Sequence, residues 1–135
     1  MDKKCVIVLD QELPVGLLAN SSAVLSLTLG EKIDGIIDRD INDGSGEKHE
    51  GITNTVIPIL KTEKENLTII REKAVDLDDV LVVDFSDVAQ RTKTYDDYAA
   101  QLEVTESEDL RYLGIALYGE KQAINSLTGS LALLR

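Results

Sequence analysis

One cysteine, one histidine and few basic residues set the first limits on this 135-residue chain. A lone Cys5 excludes an internal disulfide, and its place in an apolar run makes it a small buried hydrophobe before a reactive thiol. That cysteine usage fits a reducing, cytoplasmic compartment. A Ser–His–Asp triad would have to use His49, and no Gly-x-Ser-x-Gly elbow supplies its nucleophile. One cysteine and one histidine do not make a zinc site without carboxylates, so neither a metal nor a cofactor is expected. The glycine patterns of dinucleotide-binding turns and P-loops are missing as well.

Basic charge is scarce and scattered. Lys and Arg number 14 against 25 Asp and Glu, for a formal charge of −11. Acidic residues divide 12 and 13 between residues 1–67 and 68–135, and basic residues divide 7 and 7. Affinity for nucleic acid comes largely from Lys and Arg displacing counterions, so a polyanionic partner is not expected. Long hydrophobic runs are absent too. The run after Lys3 and Lys4 lasts only from Cys5 to Leu9, short of the roughly 7–15 residues of a signal segment. The uncharged stretch Leu13–Gly30 approaches membrane-spanning length but holds Pro14, Gly16, Asn20, three serines and Thr28. The expectation is a soluble protein, one domain over residues 1–135, with 43% hydrophobic and 29% charged residues.

Within these limits, apolar runs alternate with helical patterns. "CVIVL" (5–9) is short, continuously apolar and β-branched, and reads as a strand buried on both faces. A helix is predicted over 16–29, and a second strand over 53–60, placed at an edge or strand end because Pro58 lacks an amide donor. Thr62 with Glu65, Thr94 with Asp97 and Thr105 with Glu108 each have capping-box spacing. "VLVVDF" (80–85) and "YLGIALYG" (112–119) are the third and fourth strands, the last followed by a helix ending at Gly129. Four strand–helix repeats predict an α/β domain: a four-stranded, mostly parallel or mixed sheet in three layers, with helices on both faces. The acidic, glycine-containing connection from Gly30 to Thr53 reads as a loop.

The uncharged helix has two unlike sides. At about 100° per residue, Ala19, Ser22, Ala23 and Ser26 share one arc, while Leu17, Leu18, Val24, Leu25 and Leu29 lie mainly opposite. The large side chains can pack on the sheet, and the small ones let another backbone approach closely. Burial on both sides is therefore expected. The second cover is an intramolecular helix, a two-fold subunit contact that makes a homodimer, or a ligand.

Chemistry-bearing residues are sparse. Asp38, Asp40 and Asn42 fit the first, third and fifth positions of a calcium loop, but Asp43 stands where the glycine belongs and Glu50 comes one residue late. A solvated acidic loop with a surface His49 is the plainer reading. Ligands in open α/β sheets gather where strands end and helices begin. Asp10 and Asn20 are the expected polar anchors beside the first turn, with Pro14 and Leu17 as apolar wall. His49, Asp84, Thr92 and Tyr95 are candidates to converge on them from other loops and bind a small molecule or peptide. Tyr95 and Tyr98 lie three apart on one helix, and read first as packing residues.

The segments "VIVLDQELPVGLLANSSAVLSLTLG", "GEKHEGITNTVIPIL", "DFSDVAQRTKTYDDY" and "YLGIALYGEKQAINSLTGSLALLR" together resemble the uncharacterised bacterial and archaeal family called domain of unknown function two thousand. The resemblance runs over nearly the whole chain, and implies a fold like that of the class II peptidyl-tRNA hydrolases, with a small mixed sheet of four strands. The hydrolase activity is not carried over with it. Those enzymes follow the first strand with Gly-Lys and carry a histidine on the helix; here Gly16 precedes Leu17 and the helix has none.

Overall fold

The structure, a computed structural model, describes residues 2–135. Its central strand is β1 (Lys3–Asp10), the predicted run, and burial on both faces follows from its alternation. Cys5, Ile7 and Leu9 pack in one core with Leu25, Leu29 and Phe85. Val6 and Val8 pack in the opposite core with Leu67, Ile70, Ile115 and Ile124. The first core lies under α1 (Val15–Lys32). The second lies under α2 (Lys64–Val75) and α5 (Lys121–Thr128).

Beyond α1 come a small hairpin of β2 (Ile41–Asn42) and β3 (Lys48–His49), then β4 (Ile59–Thr62). After α2 the chain runs through β5 (Leu81–Ser86), α3 (Asp87–Arg91), α4 (Tyr95–Glu103) and β6 (Tyr112–Glu120). It ends in α5 and β7 (Ala132–Leu133). The main sheet has five strands in the order β5-β6-β1-β4-β7. The four-strand count is corrected by β7, whose two residues are too few to leave an alternating pattern in the sequence.

The sheet is mixed. β1 and β4 are parallel, β6 is antiparallel to both β1 and β5, and β7 is antiparallel to β4. It follows that β1, β4 and β5 share one direction, so the parallel crossovers expected through α1 and α2 are present. The expectation fails between β5 and β6. There α3 and α4 pack against each other, and the chain doubles back to re-enter the sheet at the end it left. Pairing shifts between Phe85↔Gly114 and Ser86↔Tyr112, which leaves Leu113 as the extra residue of a bulge in β6. Gly114 beside it lets the core close in: a Cβ there would lie 2.6 Å from Leu9 Cδ2 and 3.3 Å from the Val8 carbonyl oxygen, so the leucine side chain would have to shift.

Other local expectations are corrected by competition between elements. The second strand begins at Ile59, later than predicted, with the Pro58 carbonyl accepting from the Ile7 amide at 3.0 Å. Thr62 stays in β4 opposite Asp10, so Glu63 takes the N-cap position of α2 without a side-chain capping bond, and the Thr62 hydroxyl accepts from Asn66 instead. Thr105 bonds back to the Gln101 carbonyl and does not cap the 3-10 turn Ser107–Asp109. Thr94 does cap α4, accepting from the Asp97 amide at 3.1 Å. The predicted loop contains the β2–β3 hairpin, turned at Gly46 with φ of 84° and held by Asp43, which accepts from the Ser45 and Glu47 amides.

Of the covers expected for the second side of α1, the intramolecular helix is not found among the described residues. Ala19 and Ala23 are exposed and Ser22 and Ser26 half-buried, with no element of the chain lying over them among the described residues. Val15 and Leu27 on the same side are 82% and 77% exposed. The expected intramolecular helix has no counterpart, because α2 and α5 both go to the other face of the sheet.

Candidate functional site

The predicted site residues separate into four places. Asp10 ends β1 and is 1% exposed. Its Oδ1 accepts from the Glu12 amide at 3.0 Å and its Oδ2 from Arg111 Nη2 at 2.9 Å. With Arg111, Glu12, Glu63, Lys64 and Glu65 it borders a hollow of about 260 Å³ at the start of α2. Three acidic neighbours there oppose an anion, and the buried carboxylate is already satisfied.

Pro14 and Asn20 are exposed at the start of α1, and Leu17 packs half-buried against the core beneath that helix. None of them lines the Asp10 hollow. His49 is on the hairpin, its Nε2 2.8 Å from Asp43 Oδ2, and it lines a separate cavity of about 760 Å³ with Ile41 and Ile52. The acidic side chains that match a calcium loop only in part order this hairpin: Asp40 accepts from the Gly51 amide at 2.8 Å and Asp38 from the Arg39 amide at 2.8 Å. Hydrogen bonds from the His49 ring, then from backbone amides, hold the Asp43 carboxyl below its ordinary value.

Asp84, Thr92 and Tyr95 do come together. They line a cleft of about 400 Å³ with Val24 and Thr28 of α1, Val83 and Phe85 of β5, and Tyr98 of α4. The Thr94 cap sets where α4 begins, and so places Tyr95 and Tyr98 on one side of it. Their rings meet edge to face, 5.4 Å between centroids and 68° between planes. Tyr95 is 79% exposed while Tyr98 is half-buried. Burial pushes the Tyr98 hydroxyl up from its ordinary value, with the Asp84 charge adding to it.

Asp84 is held from the α2 side. Arg71 Nε donates to its Oδ2 at 3.2 Å, and the guanidinium carbon lies 4.8 Å from the centre of the Tyr112 ring. The Thr92 hydroxyl donates to the Val88 carbonyl at 2.9 Å and so finishes α3. The cleft therefore offers aromatic and aliphatic walls, one paired carboxylate, the Lys93 ammonium and several hydroxyls. That is equipment for holding and orienting a ligand.

Sequence reading missed Tyr98, Phe85, Arg71 and Arg111. The three-residue spacing of the tyrosines was a signal for Tyr98. Nothing local announces Arg111, which meets a carboxylate 101 residues away.

A family model matches the chain from residue 3 to residue 135. The chain belongs to the family described as Protein of unknown function (DUF2000). The DUF2000 chain is also similar to the solved structure of a protein of unknown function from Agrobacterium tumefaciens, at 19% identity over 98% of each chain, with a TM-score of 0.90. That likeness establishes a shared fold. No curated protein matches the DUF2000 chain.

Proposed function

We propose that this protein is a binding module whose ligand, a small molecule or peptide, occupies the cleft between α1, β5 and the α3–α4 pair. The observation that carries the reading is the meeting of Asp84, Thr92 and Tyr95 with Tyr98, Val83 and Phe85 in one recess. Three of its residues, Val83, Asp84 and Phe85, come from the middle and C-terminal part of β5, the end towards which ligands gather in α/β sheets. The apolar wall supplies contact area, and Asp84 with the hydroxyls sets orientation. The test is a thermal-shift screen with metabolites and short peptides, followed by titration of each hit into Tyr98→Ala and Asp84→Asn. Hits weakened tenfold or more by both substitutions support the cleft. Hits indifferent to both place the site elsewhere and defeat the reading.

A homodimer through α1 is the second reading, favoured by the composition of its uncovered side. Val15, Gly16, Ala19, Asn20, Ala23 and Leu27 are exposed and carry no charge, in a chain of formal charge −11. Such a face is self-complementary about a two-fold axis, and its small residues allow close approach. Sedimentation of Ala23→Arg against the unmodified chain tests it: conversion of a dimer to a monomer supports the contact, and a monomer in both removes it.

A further inference from the structure

The two edges of the main sheet are unequal. β7, at one edge, has two residues, and a strand that short is protected from pairing with other chains. β5, at the other, has six residues, Leu81–Ser86, and its sequence "LVVDFS" contains neither lysine nor proline to guard it. Among the described residues β5 pairs only with β6, and no further backbone hydrogen bond reaches Leu81–Phe85. In an antiparallel pair alternate residues turn both N–H and C=O away from the partner. A row of donors and acceptors on β5 is therefore unpaired.

The cleft runs along that row. Successive residues of a strand point to opposite faces of its sheet. A hollow lined by Val83, Asp84 and Phe85 together lies along the edge of β5 and not over one face. Val24 and Thr28 wall it on the α1 side, and Thr92, Tyr95 and Tyr98 on the other. Three strand residues span roughly 10 Å at about 3.3 Å each.

We infer that the cleft takes an extended peptide segment as an added strand on β5. The inference rests on the reading of the cleft as a ligand site, and names its occupant. Backbone hydrogen bonds to β5 supply affinity, and alternate side chains meet the Phe85–Tyr98 wall on one face and the Asp84 side on the other. The chain's charge of −11 favours a neutral or basic segment at long range, while the lining itself carries Lys93 beside the paired Asp84. A second copy of this chain is a poor occupant: its own β5 is recessed between its own α1 and α4. Two recessed edges do not reach the roughly 4.8 Å spacing of paired strands before their walls collide.

The test uses the full chain and blocked hexapeptides of alternating valine, phenylalanine or isoleucine with lysine or threonine. Affinities are measured by fluorescence polarisation. The best binder is remade twice, with N-methyl groups on its odd or on its even amides. Expected is loss of binding, by tenfold or more, for one of the two methylated forms and near-full binding for the other, because only one edge of the peptide faces β5. Hydrogen exchange at alternate amides of Leu81–Phe85 slows at least tenfold on binding, and Thr28→Tyr, which fills the cleft, abolishes both effects. Equal binding of both methylated forms, or unchanged exchange in β5, overturns strand addition. So does the absence of any hexapeptide binding. A metabolite that binds and is lost in Tyr98→Ala then keeps the cleft as a ligand site while removing the peptide. Concentration-dependent pairing of the chain itself that Thr28→Tyr prevents overturns the inference in favour of a second copy.

Discussion

The carboxylate of Asp10 and the guanidinium of Arg111 meet at 2.9 Å across 101 residues of sequence, the first almost fully buried and the second half-exposed. They tie the end of β1 to the residue that precedes β6. Removing the arginine strands a buried charge, whereas neutralising the acid leaves a polar group with its amide donor. Arg111→Met is therefore expected to cost about 2 kcal/mol, below the ~3–5 of a fully enclosed pair because Arg111 is itself wet. Asp10→Asn is expected to cost about 1 kcal/mol. Urea unfolding of the two variants checks the order, and a larger loss for Asp10→Asn would contradict it.

Two leucines on α1 have opposite surroundings. Leu25 is fully buried under the helix, and Leu27 is 77% exposed. Leu25→Ala should destabilise by about 3 kcal/mol through lost contacts and a residual cavity. Leu27→Ala should stay within about 0.5 kcal/mol in a monomer. A concentration-dependent melting loss for Leu27→Ala marks it as part of a subunit contact.

Ser21 is fully buried in the same helix, and its hydroxyl has no hydrogen-bond partner among the described residues. An unsatisfied buried hydroxyl is destabilising, and alanine is the better helix former. Ser21→Ala is predicted to raise stability by about 1 kcal/mol, seen as a higher melting temperature. A fall of similar size would mean that the hydroxyl is bonded in solution.

The hairpin responds to acid through Asp43. Its pKa is lower in the folded chain than in the unfolded one, first through His49 and then through the Glu47 and Ser45 amides. A depressed carboxyl supports structure above its unfolded pKa, and that support is lost as pH falls through the folded value. Carbon-detected titration should place Asp43 below its ordinary range. The amides of Ser45 and Glu47 should lose protection in the same acid window, and Asp43→Asn should remove this step. An Asp43 carboxyl that titrates at its ordinary value would contradict the hairpin geometry.

Much of the scaffold was legible in short segments. The five-residue apolar run of β1, the third and fourth strands and the Thr94 cap depend on neighbours in sequence, and each stands within one or two residues of expectation. The lost caps at Thr62 and Thr105 had the right spacing. Sheet pairing claimed the first and a helix carbonyl the second. In the candidate site Asp84, Thr92 and Tyr95 were expected, with His49, to converge on Asp10 and Asn20; the three meet one another in a cleft apart from those anchors. Asp10, Asn20 and His49 were placed with them and lie elsewhere.

Residue order alone determined the composition of each element, the doubly buried central strand and the uncharged body of α1, because side-chain period and local capping are properties of consecutive residues. Tertiary structure alone decided that β6 runs backwards, that Arg111 finds Asp10 and that β5 keeps an open edge inside a walled cleft. Those outcomes depend on where a chain returns after a turn of two short helices, and no local pattern encodes the direction of that return.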